Sequence, residues 1–404
     1  MKILFLCRFL PHPKARDSGG QDTYHYIASL SERHSVSLIA FATQEQESAV
    51  ASMRSVCEEV VAVPYRLYAL LPRVWRQGWR LLLPGVYGAC VSLRYRNALR
   101  ALLARVRFDV VIVEGMMAQY GGLVQGARRV LDEVDVYSVV AYHLYRNERR
   151  LAPRLWGMWD WLRTQALELR YAAWYDAVLV RSRQDQAFLR SLVPEQSITV
   201  LAPWFEGLDT LRRISLRRPA GDKLLFMGAM DRPANVEAAR YFVREVWPLI
   251  RQQIPDAELY IVGGAPAPSV RRLAAEQAVT VTGAVDDLTP YYERCAVNVV
   301  PLLRGGGIIV KTLNGMAAGR PTVATAVGNS GTGAQPGRDL LVAGDAPASF
   351  AGAVVDLLSD CQLWQEIAAS GRRYIVENYH WDDVVHNLES VLQLVTKEGR
   401  QENE

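Results

Sequence analysis

Leu303–Thr325 reads LRGGGIIVKTLNGMAAGRPTVAT, and this stretch sets the fold class. The apolar run before it, Ala296–Leu302, has the length and continuity of a buried parallel strand. Gly305, Gly306 and Gly307 follow, then Ile308–Ala318 with the apolar spacing of a helix. Gly319 stands where a helix C-cap would, and a second strand, Pro321–Thr325, comes next. Strand, glycine loop, helix and strand make a βαβ unit whose loop lies at the carboxyl end of a strand. Open α/β sheets bind ligands at that edge. Glycines let a backbone approach an anion, and a helix amino terminus offers N–H groups and a positive dipole end. Lys311, about one turn into the helix, can place an ammonium on the same anion, with Arg304 as a second cation. The combination favours phosphate binding over a tight turn with a solvated lysine.

The chain has 404 residues, enough for two domains with full cores. Half its residues are apolar and mean hydropathy is near zero, which fits a globular protein. Cys7, Cys57, Cys90, Cys295 and Cys361 show no paired or metal-ligand spacing and read as buried free thiols in a reducing compartment. MKILFLCRFLPHP reads as a first strand rather than a secretory signal, and no run reaches membrane-spanning length. A cytoplasmic location is expected, at the inner face of the cell membrane if the basic segment below docks there. Net charge is +4 overall; residues 1–205 carry +8 and residues 206–404 carry −4. The first half therefore favours an anionic partner.

Along the chain, Lys2–Phe9 is a strand, and Ser18-Gly19-Gly20 opens a helix, Gln21–Arg33, as a second anion cradle. Val36–Phe41 and Val60–Val63 are further strands. Asp109–Glu114 and Val130–Asp135 are strands with acids at their carboxyl tips, which nominates Glu114, and more weakly Asp132 and Asp135, for the ligand edge. The structural alternative for these acids is capping or solvation. His143 falls in a later loop. Arg146–Trp174 is a helical stretch rich in arginine and tryptophan, Ala177–Arg181 is a strand, and Ser182 caps the next helix. Pro203–Asp222 reads as an interdomain linker, and a second Rossmann-like unit begins at Lys223. Trp381–Val395 is a last amphipathic helix, and Lys397–Glu404 looks disordered.

Pro64–Phe108 carries Arg66, Arg73, Arg76, Arg80, Arg94, Arg96, Arg100, Arg105 and Arg107 and no acid. Aromatic residues, Trp75 and Trp79 among them, are interleaved with leucines. This pattern suits an anionic membrane surface or a lipid-linked acceptor. The structural alternative is a helical pair with core leucines and solvated arginines. No nucleic-acid recognition motif accompanies the arginines.

LRGGGIIVKTLNGMAAGRPTVAT resembles the donor-site segment of retaining GT-B fold glycosyltransferases of family 4, the group 1 transferases. The resemblance continues through FMGAMDRPANVEAARYF (Phe226–Phe242), YIVGG (Tyr260–Gly264), VTVTGAVDDLTPYYERCAVNVVPL (Val279–Leu302) and YHW (Tyr379–Trp381). It covers the C-terminal half almost end to end and the first half more loosely, where the flavour is that of exopolysaccharide-cluster sugar transferases. It implies an α/β, GT-B architecture: two Rossmann-like domains facing across a cleft, with a C-terminal helix crossing back to the first. Residues 1–205 plus 382–396 would bind acceptor, and 206–381 the nucleotide-sugar donor.

The implied reaction moves a sugar from a nucleotide-diphosphate donor to an acceptor hydroxyl, with retention of configuration. The acceptor would be a glycan, a lipid-linked species or a small molecule, in surface polysaccharide, glycolipid or secondary-metabolite glycoside synthesis. Glu114 falls where the family often has a histidine facing the reacting sugar. Lys311 and Asp135 complete the catalytic candidates. Gly19, Gly20, Gly228, Arg232, Asn235, Gly263, Arg304, Gly305, Gly306, Gly307 and Asn314 are the donor and phosphate candidates. No Asp-x-Asp motif occurs, so neither a metal nor another cofactor is expected. The family's Glu-x7-Glu pair falls on Gly306 and Asn314, and the arginine of its G-R-L motif on Ala229. These departures keep two alternatives open, an inactive GT-B subunit partnering an active transferase and a GT-B nucleotide-sugar epimerase.

Overall fold

The computed structural model describes residues 1–13, 15, 18–43, 46–65, 84–88, 90–148, 150–204 and 208–401. The chain divides into two compact units, Met1–Trp204 with Trp381–Glu404, and Phe205–His380.

The first unit holds a parallel sheet of seven strands: β1 (Lys2–Phe9), β2 (Ser35–Ala42), β3 (Glu59–Pro64), β4 (Val110–Glu114), β5 (Arg128–Glu133), β6 (Ala177–Val180) and β7 (Ile198–Val200). Their order in space is β3-β2-β1-β4-β5-β6-β7. A parallel sheet needs both faces covered, and period-two alternation sends neighbouring side chains to opposite faces. Leu4 and Leu6 of β1 join Val111 and Val113 of β4 on one face, with Tyr95, Leu99 and Leu102 of a helix over Leu93–Arg105. Ile3 and Phe5 join Val110 and Ile112 on the other, under Tyr26, Ile27 and Leu30 of α1 (Ser18–Ser31). The last helix, over Trp381–Gln401, adds Leu388, Leu392 and Val395 to that second face. Glu389 fixes its register, meeting Arg33 at 2.8 Å and His34 at 3.3 Å.

The second unit repeats the plan with six parallel strands: β8 (Lys223–Met227), β9 (Glu258–Val262), β10 (Val279–Gly283), β11 (Val297–Val300), β12 (Thr322–Ala324) and β13 (Leu341–Val342). Their order is β10-β9-β8-β11-β12-β13. Both units therefore place first, fourth, second and third strands as a doubly wound nucleotide fold does, with the reversal of strand order beside the first strand.

Several expected boundaries move. The first helix begins at Ser18, so Gly19 and Gly20 lie within its first turn rather than before it. β5 ends at Glu133, so Asp132 stays within the strand while Asp135 lies beyond it rather than at its tip, and His143 sits in a helix over Tyr137–Asn147, not a loop. Cys361 is exposed, while the other four thiols are buried as expected. It opens a helix capped by the Asp360 carboxylate, a position set by the cap rather than by the core. Lys397–Gln401 continues the last helix, because its apolar stripe through Val395 has already committed the backbone. The linker includes a helical turn, Leu208–Leu211, and the carbonyls of Ser215 and Arg217 accept from Arg320.

The arginine-rich segment is described only in part. Arg66, Arg73, Trp75, Arg76, Trp79 and Arg80 lie outside the described residues. In the Leu93–Arg105 helix, Tyr95, Leu99 and Leu102 are buried while Arg94, Arg96 and Arg100 are exposed, and Arg105 pairs with Glu59. That portion is an ordinary amphipathic helix on the sheet.

Candidate functional site

The second unit assembles its candidates where β8 and β11, neighbours at the reversal of strand order, end. Gly228 follows β8, Gly263 follows β9, and the 301–309 loop follows β11. A Cβ built on Gly263 would lie 1.7 Å from the Gly228 carbonyl oxygen, so no other residue fits there without moving backbone. A Cβ on Gly228 would approach Asn235 Nδ2 at 2.8 Å and Lys311 Nζ at 3.3 Å. The bare Gly228 backbone is thus what leaves space before the ammonium.

Lys311 is the second residue of a helix over Val310–Ala317, earlier in the helix than the sequence spacing indicates, because the backbone becomes helical only at Val310. The helix is closed by Gly319 at φ +62°. Gly319 N–H donates to Met316 O, and Arg320 N–H to Gly315 O, both at 2.9 Å, the paired bonds of a Schellman stop. Gly315 packs this helix tightly on Asn298 and Thr322 of the sheet. The glycine loop is tied to the turn after β12: Thr325 Oγ1 donates to Leu302 O at 2.5 Å, Thr312 Oγ1 to Gly328 O at 2.6 Å, and Ile309 N–H to Ser330 O at 3.2 Å. Gly307, at φ +66°, makes the loop's left-handed bend.

Lys311 Nζ donates to Asn235 Oδ1 at 2.6 Å and stands 5.7 Å from the Phe226 ring centroid. Asn235 is itself buried and anchored, donating from Nδ2 to Ala229 O at 2.8 Å. No carboxylate among the described residues pairs with Lys311. Burial, and then the Arg232 charge, lower its pKa to about 8. Arg232 immediately precedes a helix over Pro233–Tyr241. Arg304 reaches back to Glu237 of that helix, its Nη2 donating at 2.6 Å, so the loop and the helix are bridged by an exposed ion pair. Asn314 is buried, with Nδ2 toward Met227 Sδ at 3.8 Å and Oδ1 without a hydrogen-bond partner. Lys311, Asn235, Gly228 and Arg232 are thus brought together, Gly263 supports them, and Arg304 is held by Glu237.

In the first unit, Glu114 ends β4 and its Oε2 accepts from the Arg8 backbone N–H at 2.6 Å. This bond ties the carboxylate to β1. Asp135 lies in the bend before the Tyr137–Asn147 helix. Sequence reading missed two buried clusters at the same sheet edge. Arg181, just past β6, makes a forked contact with Asp132 at 2.7 and 3.0 Å, meets Asp22 of α1 at 3.4 Å, and lies over the Tyr26 ring at 5.1 Å. Burial raises the Asp22 pKa to about 8 against the pull of Arg181. Glu133 is the second. Both its carboxylate oxygens are buried without hydrogen-bond partners, and burial together with Glu168 raises its pKa. Glu168 accepts from Ser138 N–H at 3.3 Å, and burial raises its pKa to about 7. An arginine directly after an apolar strand was the available signal for the first cluster. Nothing in VLDEVD distinguishes Glu133 from its neighbours.

Residues 221–360 match the family model described as "Glycosyl transferases group 1". An "Uncharacterized 44.6 kDa protein in cps region" of Klebsiella pneumoniae is 22% identical over 392 residues, covering 94% of this chain and 96% of that protein. A GDP-mannose-dependent alpha-(1-6)-phosphatidylinositol monomannoside mannosyltransferase of Mycobacterium tuberculosis is 31% identical over 240 residues, 53% of this chain and 60% of that enzyme. Among solved structures, sucrose-phosphate synthase from Thermosynechococcus elongatus matches with a TM-score of 0.69 at 18% identity, covering 98% and 100% of the two chains. Anabaena HepE in complex with UDP-glucose matches with a TM-score of 0.66 at 13% identity, covering 97% and 99%. These structural likenesses give the fold, GT-B.

Proposed function

We propose, for a chain of the group 1 glycosyltransferase type on a GT-B fold, that the second unit binds the diphosphate of a nucleotide sugar against Lys311, Gly228 and the 301–309 loop. The sugar then passes to an acceptor hydroxyl with retention of configuration and without a metal. The observation that carries this reading is Lys311. It is a fixed ammonium with an amide oxygen for a partner, no paired carboxylate among the described residues, and a depressed pKa that a bound anion would restore. Breaking the bond between anomeric carbon and phosphate oxygen leaves charge on the diphosphate. A cation fixed in advance stabilises that charge without reorganisation. The acceptor oxygen bonds the anomeric carbon on the face the phosphate leaves, and the acceptor proton passes to the departing phosphate. The relative from a capsule region and the mannosyltransferase of a phosphatidylinositol glycolipid support a surface glycan or glycolipid as product.

Asn314 favours a second reading, a nucleotide-binding subunit without turnover. Where the family carries a glutamate, its orphaned Oδ1 can accept a ribose hydroxyl but lacks the charge-assisted part of that bond, about 1 kcal/mol. A thermal-shift panel of UDP- and GDP-sugars, followed by donor hydrolysis with and without EDTA, separates the cases. A shift with hydrolysis that survives EDTA is the expected result. A shift without turnover on any donor favours the subunit reading. No shift with any nucleotide sugar removes the donor site, and loss of activity in EDTA removes the metal-free mechanism.

A further inference from the structure

Two helices of the first unit, over Tyr137–Asn147 and Leu151–Ala172, pack along one another through aromatic rings. Tyr145 stacks on Trp161 at 5.8 Å with a 4° interplanar angle, Tyr142 meets Trp161 at 5.1 Å, and Gly157 lets Tyr145 lie close. Gly157, Trp161, the buried Thr164 and the buried Glu168 therefore mark the inner side of the longer helix. At 3.6 residues per turn the opposite side carries Leu151, Leu155, Trp159 and Leu162, flanked by Trp156. All five are exposed, between 44% for Trp156 and Leu162 and 79% for Leu151. A helix apolar on both sides is normally covered on both.

We propose that this outer face is a docking surface for an anionic lipid bilayer. Its charge selects that occupant. Tyr137–Arg163 carries Arg146, Arg149, Arg150, Arg154 and Arg163 against only Glu148 and Asp160. The two acids accept from backbone, Glu148 from Arg150 N–H at 2.9 Å and Asp160 from Gly85 N–H at 3.2 Å. Arg146, Arg150 and Arg154 are exposed at the border of the helix pair, Arg146 over the Tyr142 ring at 5.9 Å and Arg154 over the Tyr145 ring at 5.6 Å, and Arg163 lies over the Trp159 ring at 5.6 Å. Tryptophan and leucine embedded at headgroup level, with arginines on lipid phosphates, is how an interfacial helix binds. A second copy seated on the same face would bring the two sets of arginines together. No helix among the described residues is long and apolar enough to cross a membrane, so this one would lie in the surface plane. The inference concerns adsorption of the first unit and does not require turnover at Lys311.

The test is flotation of the full chain with vesicles of phosphatidylcholine alone, or with phosphatidylglycerol added, in low and high salt. Binding should require phosphatidylglycerol and fall in salt. Trp156→Ser/Trp159→Ser and Arg150→Glu/Arg154→Glu should each reduce it about tenfold or more, with melting temperature and nucleotide thermal shift unchanged. The proposal is overturned if the wild type stays soluble at low salt, or if both variants bind like wild type. It is also overturned if Arg73→Glu/Arg76→Glu/Arg80→Glu alone abolishes binding, which would place the contact in the earlier segment. Conversion of a dimer to a monomer by Trp156→Ser/Trp159→Ser would identify the face as a seam between copies instead.

Discussion

Lys311 Nζ lies 2.6 Å from Asn235 Oδ1, and Asn235 is held in turn by the Ala229 carbonyl. The ammonium is therefore positioned by the turn and helix that follow β8, although it belongs to the helix that follows β11. Removing it should cost chemistry rather than stability. Lys311→Ala is expected to lower turnover about 100-fold or more while leaving the melting temperature within a few degrees, since a desolvated charge is removed with it. Lys311→Arg should not restore activity, because a planar fork does not replace a point charge in a closed space. The ammonium also sets a pH limit. Its pKa in the free protein is lowered to about 8, so nucleotide affinity should fall as pH rises through about 8, and the bound diphosphate should move that limit upward. Titration of affinity against pH checks both; a flat profile to pH 10 would remove Lys311 from the phosphate.

Gly228 and Gly263 should respond differently to the same added methyl. At Gly228 the new Cβ meets side-chain nitrogens of Asn235 and Lys311, which can yield. Gly228→Ala is expected to fold, with KM for the donor raised about tenfold as the ammonium is displaced. At Gly263 the new Cβ meets backbone at 1.7 Å. Gly263→Ala should destabilise the second unit by several kcal/mol, on the order of a severe overpacking substitution. Chemical denaturation and donor kinetics on the pair would read the contrast.

How much of this was legible beforehand depended on which interactions are local in sequence. Continuous apolar runs such as Lys2–Phe9 and Ala296–Leu302 announce parallel strands, since both sheet faces bury them, and the glycine stop at Gly319 was readable because only glycine adopts φ +62° there cheaply. Lys311 could be nominated from its distance to the glycines. Asn235 as its partner could not be derived from spacing, because 76 residues separate them. The pairing of Arg181 with Asp22 and Asp132 was hidden for the same reason, with separations of 159 and 49 residues. Trp204 is a further case: it stacks on His25 of α1 at 3.5 Å, where sequence offered only the start of an irregular linker.

The Arg181 cluster yields a stability prediction. Its guanidinium is buried between Asp22 and the Asp132 carboxylate, so removing it leaves buried charge uncompensated. Arg181→Met should cost about 3–5 kcal/mol. Neutralising the acids as well, in Arg181→Met/Asp22→Asn/Asp132→Asn, should recover a large part of that loss. Urea unfolding of the two variants provides the comparison; equal stability of single and triple variants would remove the charge explanation.

Glu168 yields a pH prediction of opposite sense to ordinary acid denaturation. Its folded pKa is raised by burial to about 7, above the usual glutamate value, so the folded state holds a proton that the unfolded state releases. That contribution is present at low pH and is lost as pH rises from about 4.5 toward 7, with a slope of at most about 1.4 kcal/mol per pH unit. Glu168→Gln keeps an acceptor for Ser138 and removes the titration. Melting curves of the variant should therefore vary less over this range than those of the wild type. His25 pulls the other way, its pKa lowered to about 4 by burial, so subtracting the two proteins isolates the glutamate.

The helix that begins at Trp381 carries a temporal consequence. Tyr26 stacks on Trp381 at 5.2 Å, and Leu388, Leu392 and Val395 seal one face of a sheet whose first strand is Lys2–Phe9. During synthesis that face lacks this helix until the residues after Trp381 have left the ribosome, whereas Phe205–His380 has all of its own strands earlier. The unit made first is thus the unit completed last. A nascent chain arrested before Trp381 would leave Tyr26 without its stacked ring and α1 and β5 without the helix packed on them, and chaperone demand should concentrate in the interval before that helix emerges.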